Sequence, residues 1–243
     1  MDETFDFWYY EELTSPTIAV DESVKSLPQD ADLTKEQAAA QARATAQGIV
    51  RVDQPRWTAI DPVEHKLLTS GADAHYFFVR LGFQFDLTEA GRSGKAQFTF
   101  ARCEARLWPV SGTVYPRVYE VIPRDFYEGE ARQIQVELGP EIKVGDTSAS
   151  LGKVSTSFAV GRLEPVVVGF PGEDERAPYW ELRPKSKSLL GTRHLWMVLE
   201  VPNGCPGVRL STRAMGDIQT YFGPVPVGPK QREWETRPSI VIT

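Results

Sequence analysis

The segment HYFFVRLGFQFDL, residues 75–87, carries an apolar side chain at every odd position from Phe77 to Leu87. The even positions include Arg80, Gln84 and Asp86. A period of two is typical of a β-strand that turns one face to a core and the other to solvent. The spacing therefore predicts a long strand that is buried on one side only.

A second alternating segment, KAQFTFARCEARLW at residues 95–108, follows the Gly-containing turn EAGRSG. Its small and apolar positions alternate with charged ones: Ala101, Cys103, Ala105 and Leu107 against Arg102, Glu104 and Arg106. Two alternating runs joined by a short turn are the usual pattern of a β-hairpin. We therefore expect these two strands to pair with each other. Cys103 stands on the small-residue side, which favours a buried apolar filler over a nucleophile.

The rest of the chain after residue 50 continues in short segments of the same kind, separated mostly by Gly or Pro. These segments are RVYEVI, ARQIQVEL, KVSTSFAV, EPVVVGF, YWELRP, RHLWMVLEV, GVRLSTRA and IQTYF. No alternation of strands and helices is visible, which argues against a parallel sheet. About ten strands with frequent turns predict an all-β protein, an antiparallel β-sandwich of immunoglobulin-like or jelly-roll-like type.

One helix is expected before these strands, in the segment DLTKEQAAAQARATAQGIV. Thr34 stands three residues before Gln37, as in a capping box, and Gly48 supplies a stop. The helix is predicted over residues 34–47. The chain then divides into an acidic aromatic tail at 1–32, a helical segment at 33–49 and a β-sandwich domain at 50–243.

The formal charge of −6 is a property of the tail. Residues 1–32 contain nine acids and one base, whereas the remaining residues contain 24 acids and 26 bases. Inside the tail, FDFWYY holds five aromatic side chains, each a large apolar surface that a solvated linker does not need. We predict that these residues bind a partner, with the carboxylates as steering charge: Phe5, Phe7, Trp8, Tyr9 and Tyr10. A further interpretation is that the acidic tail docks on the arginine-rich patches of its own chain or of a neighbouring copy.

The sequence predicts an intracellular protein. The N-terminal residues lack the basic and apolar regions of a secretory signal, and no run of 18 apolar residues is present. Cys103 and Cys205 are too few for a disulfide framework, so two reduced thiols are expected. Asn occurs once and Arg outnumbers Lys by 18 to 9, a bias typical of GC-rich bacterial genomes. We therefore expect a bacterial, cytoplasmic protein with no transmembrane segment.

Catalytic and cofactor motifs are absent from the sequence. The two cysteines and three histidines are isolated, there is no G-x-S-x-G elbow, and no phosphate-binding glycine loop follows a strand. We predict no catalytic residue, no metal site and no cofactor. The residues lean toward a non-enzymatic role, but a hydrolase assembled around His194 or the acidic loop at residues 173–175 stays open.

Arginine-rich strand faces stand near tryptophans, but the chain after residue 32 carries a net charge of only +2. That balance argues against nucleic acid as the main ligand and favours either solvated strand faces or a landing site for something acidic. The first hypothesis is a non-catalytic adaptor or assembly subunit whose tail and helix contact another protein or another copy. A membrane-active β protein is a further alternative, suggested by long amphipathic strands such as residues 76–87.

Overall fold

The computed structural model describes most of the chain. The described residues are 7–15, 34–61, 74–123, 132–137, 143–146, 157–163, 167–184, 189–230, 233–234 and 237–243. Within them the strands are β1 (Phe7–Thr14), β2 (Gly48–Asp53), β3 (Arg56–Ile60), β4 (Ala74–Leu87), β5 (Gln97–Pro109), β6 (Arg117–Ile122), β7 (Arg132–Glu137), β8 (Lys143–Asp146), β9 (Ser157–Leu163), β10 (Val167–Phe170), β11 (Tyr179–Leu182), β12 (Gly191–Pro202), β13 (Val208–Thr220), β14 (Gly223–Pro229) and β15 (Ser239–Ile242). The helices are α1 (Lys35–Thr45) and α2 (Glu89–Ser93), with a 3-10 turn at Glu173–Glu175.

The prediction of an all-β antiparallel protein with one short helix is confirmed. The main sheet runs β10-β11-β5-β13-β14-β1-β2-β4-β12-β6, with β15 beside β13 and β3 beside β4. Its two ends meet, since the Trp180 indole N–H of β11 donates to the Ile122 carbonyl of β6 at 3.3 Å. The sheet is therefore nearly closed. A separate sheet has the order β8-β7-β9.

Helix α1 begins as its sequence predicts. The Thr34 hydroxyl accepts from the Gln37 backbone N–H at 3.2 Å, and the Gln37 side chain accepts from the Thr34 N–H at 2.9 Å. These two bonds satisfy donors that a helix N-terminus otherwise leaves free. Its alanines at 38, 39 and 42 are buried, so the small-residue face packs against the core.

The core lies between the inner faces of the two halves of the main sheet. The inward side chains of β4 are large and most of those of β5 are small, so that large side chains pack closely against small ones. The rings of Phe85 and Phe98 approach edge to face at 5.7 Å across this interior. The core positions of these two strands are Val79, Leu81, Phe83, Phe85, Ala101, Cys103, Ala105 and Leu107.

The predicted hairpin between residues 75–87 and 95–108 is wrong. β4 pairs with β2, β3 and β12, whereas β5 pairs with β11 and β13. The connecting residues form helix α2, which Thr88 caps by accepting from the Gly91 N–H at 3.3 Å. This helix carries the chain from one half of the sheet to the other, so the two strands face each other across the core.

β4 is also buried on both faces over much of its length, which corrects the prediction of a strand buried on one side only. Tyr76, Phe78 and Arg80 point away from the main core but are at most 2% exposed. The Arg80 guanidinium donates to the Asp53 carboxylate at 2.7 Å, which compensates the charge that burial would otherwise leave unpaired.

Candidate functional site

The aromatic tail segment forms strand β1 of the main sheet, between β14 and β2. Trp8 and Tyr9 pack against the core with their rings 4.9 Å apart. The Tyr9 hydroxyl donates to the Thr212 carbonyl at 2.7 Å, and burial raises the pKa of Tyr9. Phe7 and Tyr10 are 54% and 60% exposed. Two of the predicted contact residues are therefore used inside the chain.

The carboxylates of the tail are bound as well. Glu11 forms an ion pair with Arg237, and Glu12 accepts from Lys230 at 2.6 Å. Burial raises the pKa of Glu11. Phe5 lies outside the described residues, so its placement is open. The partner-binding role of the five aromatics, and the three-part division of the chain, stay predictions.

His194, the first hydrolase candidate, is placed in a site unsuited to a general base. Burial, with the nearby charges of Arg80 and Arg56, lowers the pKa of His194 to about 4. Its Nε2 atom is buried with no hydrogen-bond partner among the described residues. The imidazole is therefore neutral at pH 7, and no described hydroxyl or carboxylate binds its Nε2 atom to orient the ring.

The acidic loop, the second hydrolase candidate, is an exposed turn. Glu173, Asp174 and Glu175 are all exposed, and Asp174 forms an ion pair with Arg176. Among the described residues, no group of three or more His, Cys, Asp or Glu side chains is arranged to hold a metal ion.

The outward-pointing side chains of β4 and β12 lie apart from the main core, and all but the half-buried His194 are buried. We call this set the covered face: Tyr76, Phe78, Arg80, His194, Trp196 and Val198. Trp196 and Val198 are fully buried. β9 of the separate sheet approaches β12. The outer face of β4, which the sequence pattern predicted to be exposed to solvent, is therefore buried.

The end of β6 and the middle of β10 lie close together, although residues 124–166 separate these strands in sequence. Gly169 in β10 lies so near the Pro123 carbonyl that an added Cβ would come within 2.6 Å of its oxygen. Between these points β7 pairs with β8 and with β9, as in the partners Val136–Val144 and Val136–Phe158. The small sheet is therefore an insertion between the two ends of a nearly closed sheet.

The loop after β5 exposes apolar side chains at one end of the main sheet. Val110, Val114 and Tyr115 are 47%, 37% and 46% exposed, and we call these three residues the rim. The Val110 N–H donates to the Gly207 carbonyl at 3.0 Å, which ties the rim to the loop after β12. Exposed apolar groups of this kind mark contact sites more often than random surface does.

Arginines and tryptophans share the outer face of β5 and β13, which we call the Arg–Trp face. The two strands pair so that Arg209 stands opposite Trp108 and Arg213 opposite Glu104. The Trp108 and Trp234 rings lie 6.1 Å apart, and the Arg213 guanidinium lies 4.4 Å from the Trp234 ring. Sequence alternation predicted these basic faces strand by strand, but it did not predict that the two strands pair.

Glu104 is the carboxylate that the arginines of this face share. It accepts from Arg102 at 2.6 Å and from Arg213 at 2.5 Å. Arg102 also lies over the Tyr179 ring at 3.8 Å. One carboxylate therefore serves two guanidiniums, and the face keeps an excess of positive charge.

Among the described residues, no helix is long and apolar enough to cross a membrane. No family model and no curated protein matches the chain. Three solved structures similar to it are the Clostridium perfringens delta-toxin, a pore forming protein, and the Clostridium perfringens NetB toxin in its membrane inserted form. Identities are 9%, 7% and 7%, and TM-scores 0.40, 0.37 and 0.33. The matches cover 82%, 81% and 81% of this chain and 88%, 90% and 88% of the other chains.

The predicted adaptor of the bacterial cytoplasm is contradicted by these likenesses, because the similar chains are described as toxins and pore-forming proteins. Two of the five aromatics on which that prediction drew, Trp8 and Tyr9, pack within the chain's own sheet.

Proposed function

We propose that the protein is a membrane-active β protein that inserts the segment between β6 and β10 into a bilayer. The observation that carries the proposal is that β6 and β10 lie close together, while the described part of the sequence between them forms the separate sheet of β7, β8 and β9. In sequence, Ile134, Val136 and Leu138 alternate with polar residues, and the stretch to residue 161 is rich in Ser, Thr and Gly. Alternating segments of about ten residues are the signature of membrane-spanning strands.

The register of β7 and β9 supports a longer hairpin. Glu137 stands opposite Ser157, and continuing this register would pair residue 146 with residue 148. Each strand would then have about fifteen residues and a length of about 50 Å, enough to cross a hydrocarbon layer of about 30 Å. β8 pairs with β7 in the structure, with Ile134 opposite Asp146, so β8 must leave β7 for the hairpin to extend.

One hairpin cannot cross a bilayer alone, because its two edges would leave backbone N–H and C=O groups unpaired in lipid. Only a closed barrel removes those edges, and the smallest such barrels have about eight strands. The partner that the proposal requires is therefore further copies of this chain, about four or more. Phe7 and Tyr10, exposed on β1, are proposed as contacts between neighbouring copies.

The rim supports attachment to a bilayer before insertion. Val110 and Val114 offer aliphatic groups, and Tyr115 and Trp108 are residue types enriched at membrane interfaces. Arg176 lies 4.6 Å from the Tyr115 ring, which places a positive charge beside this apolar group. That combination suits the boundary between lipid headgroups and acyl chains.

A reversible disulfide between β7 and β8 tests the proposal. Val136 and Val144 are register partners, so V136C/V144C in a Cys205→Ser background should form a cross-strand bond. The matched control joins β7 to β9 through Q133C/R162C, which the extended hairpin retains. We expect dye release from liposomes by the parent and the control, none by the oxidised β7–β8 variant, and recovery after reduction.

Three outcomes would contradict the proposal. Dye release by the oxidised β7–β8 variant at the parent's rate would show that β8 does not have to leave β7. Failure of the parent to release dye from any of neutral, anionic and glycolipid-containing vesicles would exclude insertion. Native electrophoresis of detergent-extracted vesicles should show an assembly of several copies, and a monomer there would contradict the closed barrel.

A further inference from the structure

Two clefts flank Trp108 on the Arg–Trp face. The larger has a volume of about 220 Å³ and is lined by Arg106, Tyr115, Glu173 and Arg176 beside the indole. The smaller, of about 30 Å³, lies on the other side of Trp108 and holds Arg209, Ser211, Trp234, Arg237 and Ser239. The Trp108 indole therefore borders both clefts. The larger cleft has room for one ring of a ligand, and the smaller one has room for a single small chemical group.

The two guanidiniums next to this indole have no ion-pair partner in the part of the chain that the structure describes. Arg106 and Arg209 lie 5.9 Å and 5.5 Å from the Trp108 ring centre, so both guanidiniums are neighbours of this one indole. Both are exposed, and neither forms an ion pair with another described residue. Their neighbours Arg102 and Arg213 are paired with Glu104. Unpaired guanidiniums on a rigid strand face are suited to bind sulfate, phosphate or carboxylate groups.

The larger cleft also contains hydrogen-bond acceptors. Glu173 lines it with an exposed carboxylate, and Asp174 lines it while bound to Arg176. A free anion would be repelled by Glu173, whereas a ligand with hydroxyl groups donates to it. The indole of Trp108 and the phenol of Tyr115 offer flat apolar surfaces for the face of a ring.

We infer that the two clefts around Trp108 bind an acidic saccharide. A sugar ring lies in the larger cleft against Trp108, its hydroxyls donate to Glu173, and its sulfate or carboxylate group binds Arg106. Arg209 and the exposed Ser239, which line the smaller cleft, bind an acidic group of a neighbouring sugar unit. This site goes beyond the proposed membrane activity and gives that activity a means of choosing the surface to which the protein attaches.

The geometry favours a saccharide over a nucleic acid. Nucleic-acid sites follow a backbone with a continuous row of cations, and here Glu104, Glu173 and Asp174 interrupt the row. The larger cleft is also smaller than the 300 Å³ or so at which drug-sized pockets begin, so it admits a single ring.

Isothermal titration calorimetry in solution tests the site without requiring membrane insertion. The probes are a sulfated heparin disaccharide, its unsulfated form, sodium sulfate and a single-stranded oligothymidylate. The variants are R106Q/R209Q and Trp108→Ala, with Arg183→Gln as the matched control because Arg183 is exposed on the same side of the sheet but paired with Glu181 at 2.6 Å. We expect the Kd of the sulfated disaccharide to rise about tenfold or more in both test variants and to stay unchanged in the control.

The outcomes separate the site from the proposed function. Equal binding by parent and R106Q/R209Q, or an equal loss in Arg183→Gln, would overturn the site even if dye release occurs. Tighter binding of sodium sulfate or of the oligothymidylate than of the sulfated disaccharide would overturn the ligand class. Flotation with vesicles with and without a sulfated galactosyl lipid, competed by the soluble disaccharide, distinguishes a glycolipid source from a free glycan. Binding in solution without dye release would retain the site and reject insertion.

Discussion

The covered face on β4 and β12 and the Arg–Trp face on β5 and β13 lie on opposite outer sides of one sheet. Both place aromatic and arginine side chains at alternate positions. On the covered face, Arg80 is 2% exposed and Trp196 is fully buried. On the Arg–Trp face, Arg106 and Arg209 are exposed. The same residue pattern therefore produced a packed layer on one side and an open, charged surface on the other.

The two faces differ in whether their arginines form ion pairs. Arg80 is bound to Asp53 at 2.7 Å in the interior, where an unpaired guanidinium would be very costly. Arg106 and Arg209 keep their hydration and need no partner for stability. The covered face thus serves stability, and the Arg–Trp face has charge available for a ligand. Stability measurements on matched variants of the two faces test this contrast.

The largest expected difference comes from the two tryptophans. Trp196→Ala removes a fully buried indole, and we expect it to lower the free energy of unfolding by about 4 kcal/mol. Trp108→Ala lies on the open face and should cost less than about 1 kcal/mol. Urea denaturation followed by circular dichroism measures both. Similar losses in the two variants would contradict the distinction between the faces.

The buried ion pair should give the next effect. Asp53→Ala leaves Arg80 charged in the interior, and we expect a loss of about 3 kcal/mol in the free energy of unfolding. Glu12→Ala removes the exposed pair with Lys230 and should cost at most about 0.5 kcal/mol. The same denaturation experiment at pH 7 compares them. A mild effect of Asp53→Ala would mean that water reaches Arg80.

A smaller effect is expected from pH at His194. Its pKa is about 4 in the folded protein and 6.5 as the ordinary value. The unfolded chain therefore binds a proton first as pH falls, so the stability present above pH 6.5 is lost progressively toward pH 4. Glu11 and Asp217, whose pKa values are raised by burial, act in the opposite direction. His194→Gln should therefore lose less stability between these pH values than the parent, and equal slopes would refute the assignment.

The smallest effect should come from Arg106→Gln, with a change within about 0.5 kcal/mol in the free energy of unfolding. The side chain is exposed and has no ion pair among the described residues, so its removal costs little. Thermal unfolding at low and high salt measures it. A loss above 1 kcal/mol would show that Arg106 is a structural residue, and weakened ligand binding in the double variant would then have another cause.

Local sequence patterns predicted a good part of the fold. The capping box at Thr34 and Gln37 and the inward positions of β4 and β5 are present as predicted, because both depend on near neighbours in the chain. The strand formed by Phe7–Thr14 was not predicted, although its aromatics were singled out as contact residues. Tyr9 binds Thr212, more than two hundred residues away, and no local pattern reports such a contact.

The sequence by itself determined the approximate positions of most strands after residue 50 and which side chains of β4 and β5 share the inward face. Only the tertiary structure decided that β5 pairs with β13, which collects Arg106, Trp108 and Arg209 around one indole, and that a second layer covers β4. The reason is physical. Alternation follows from the geometry of a single strand, whereas the partner of a strand and the layer above it depend on which distant surfaces bury the most area together.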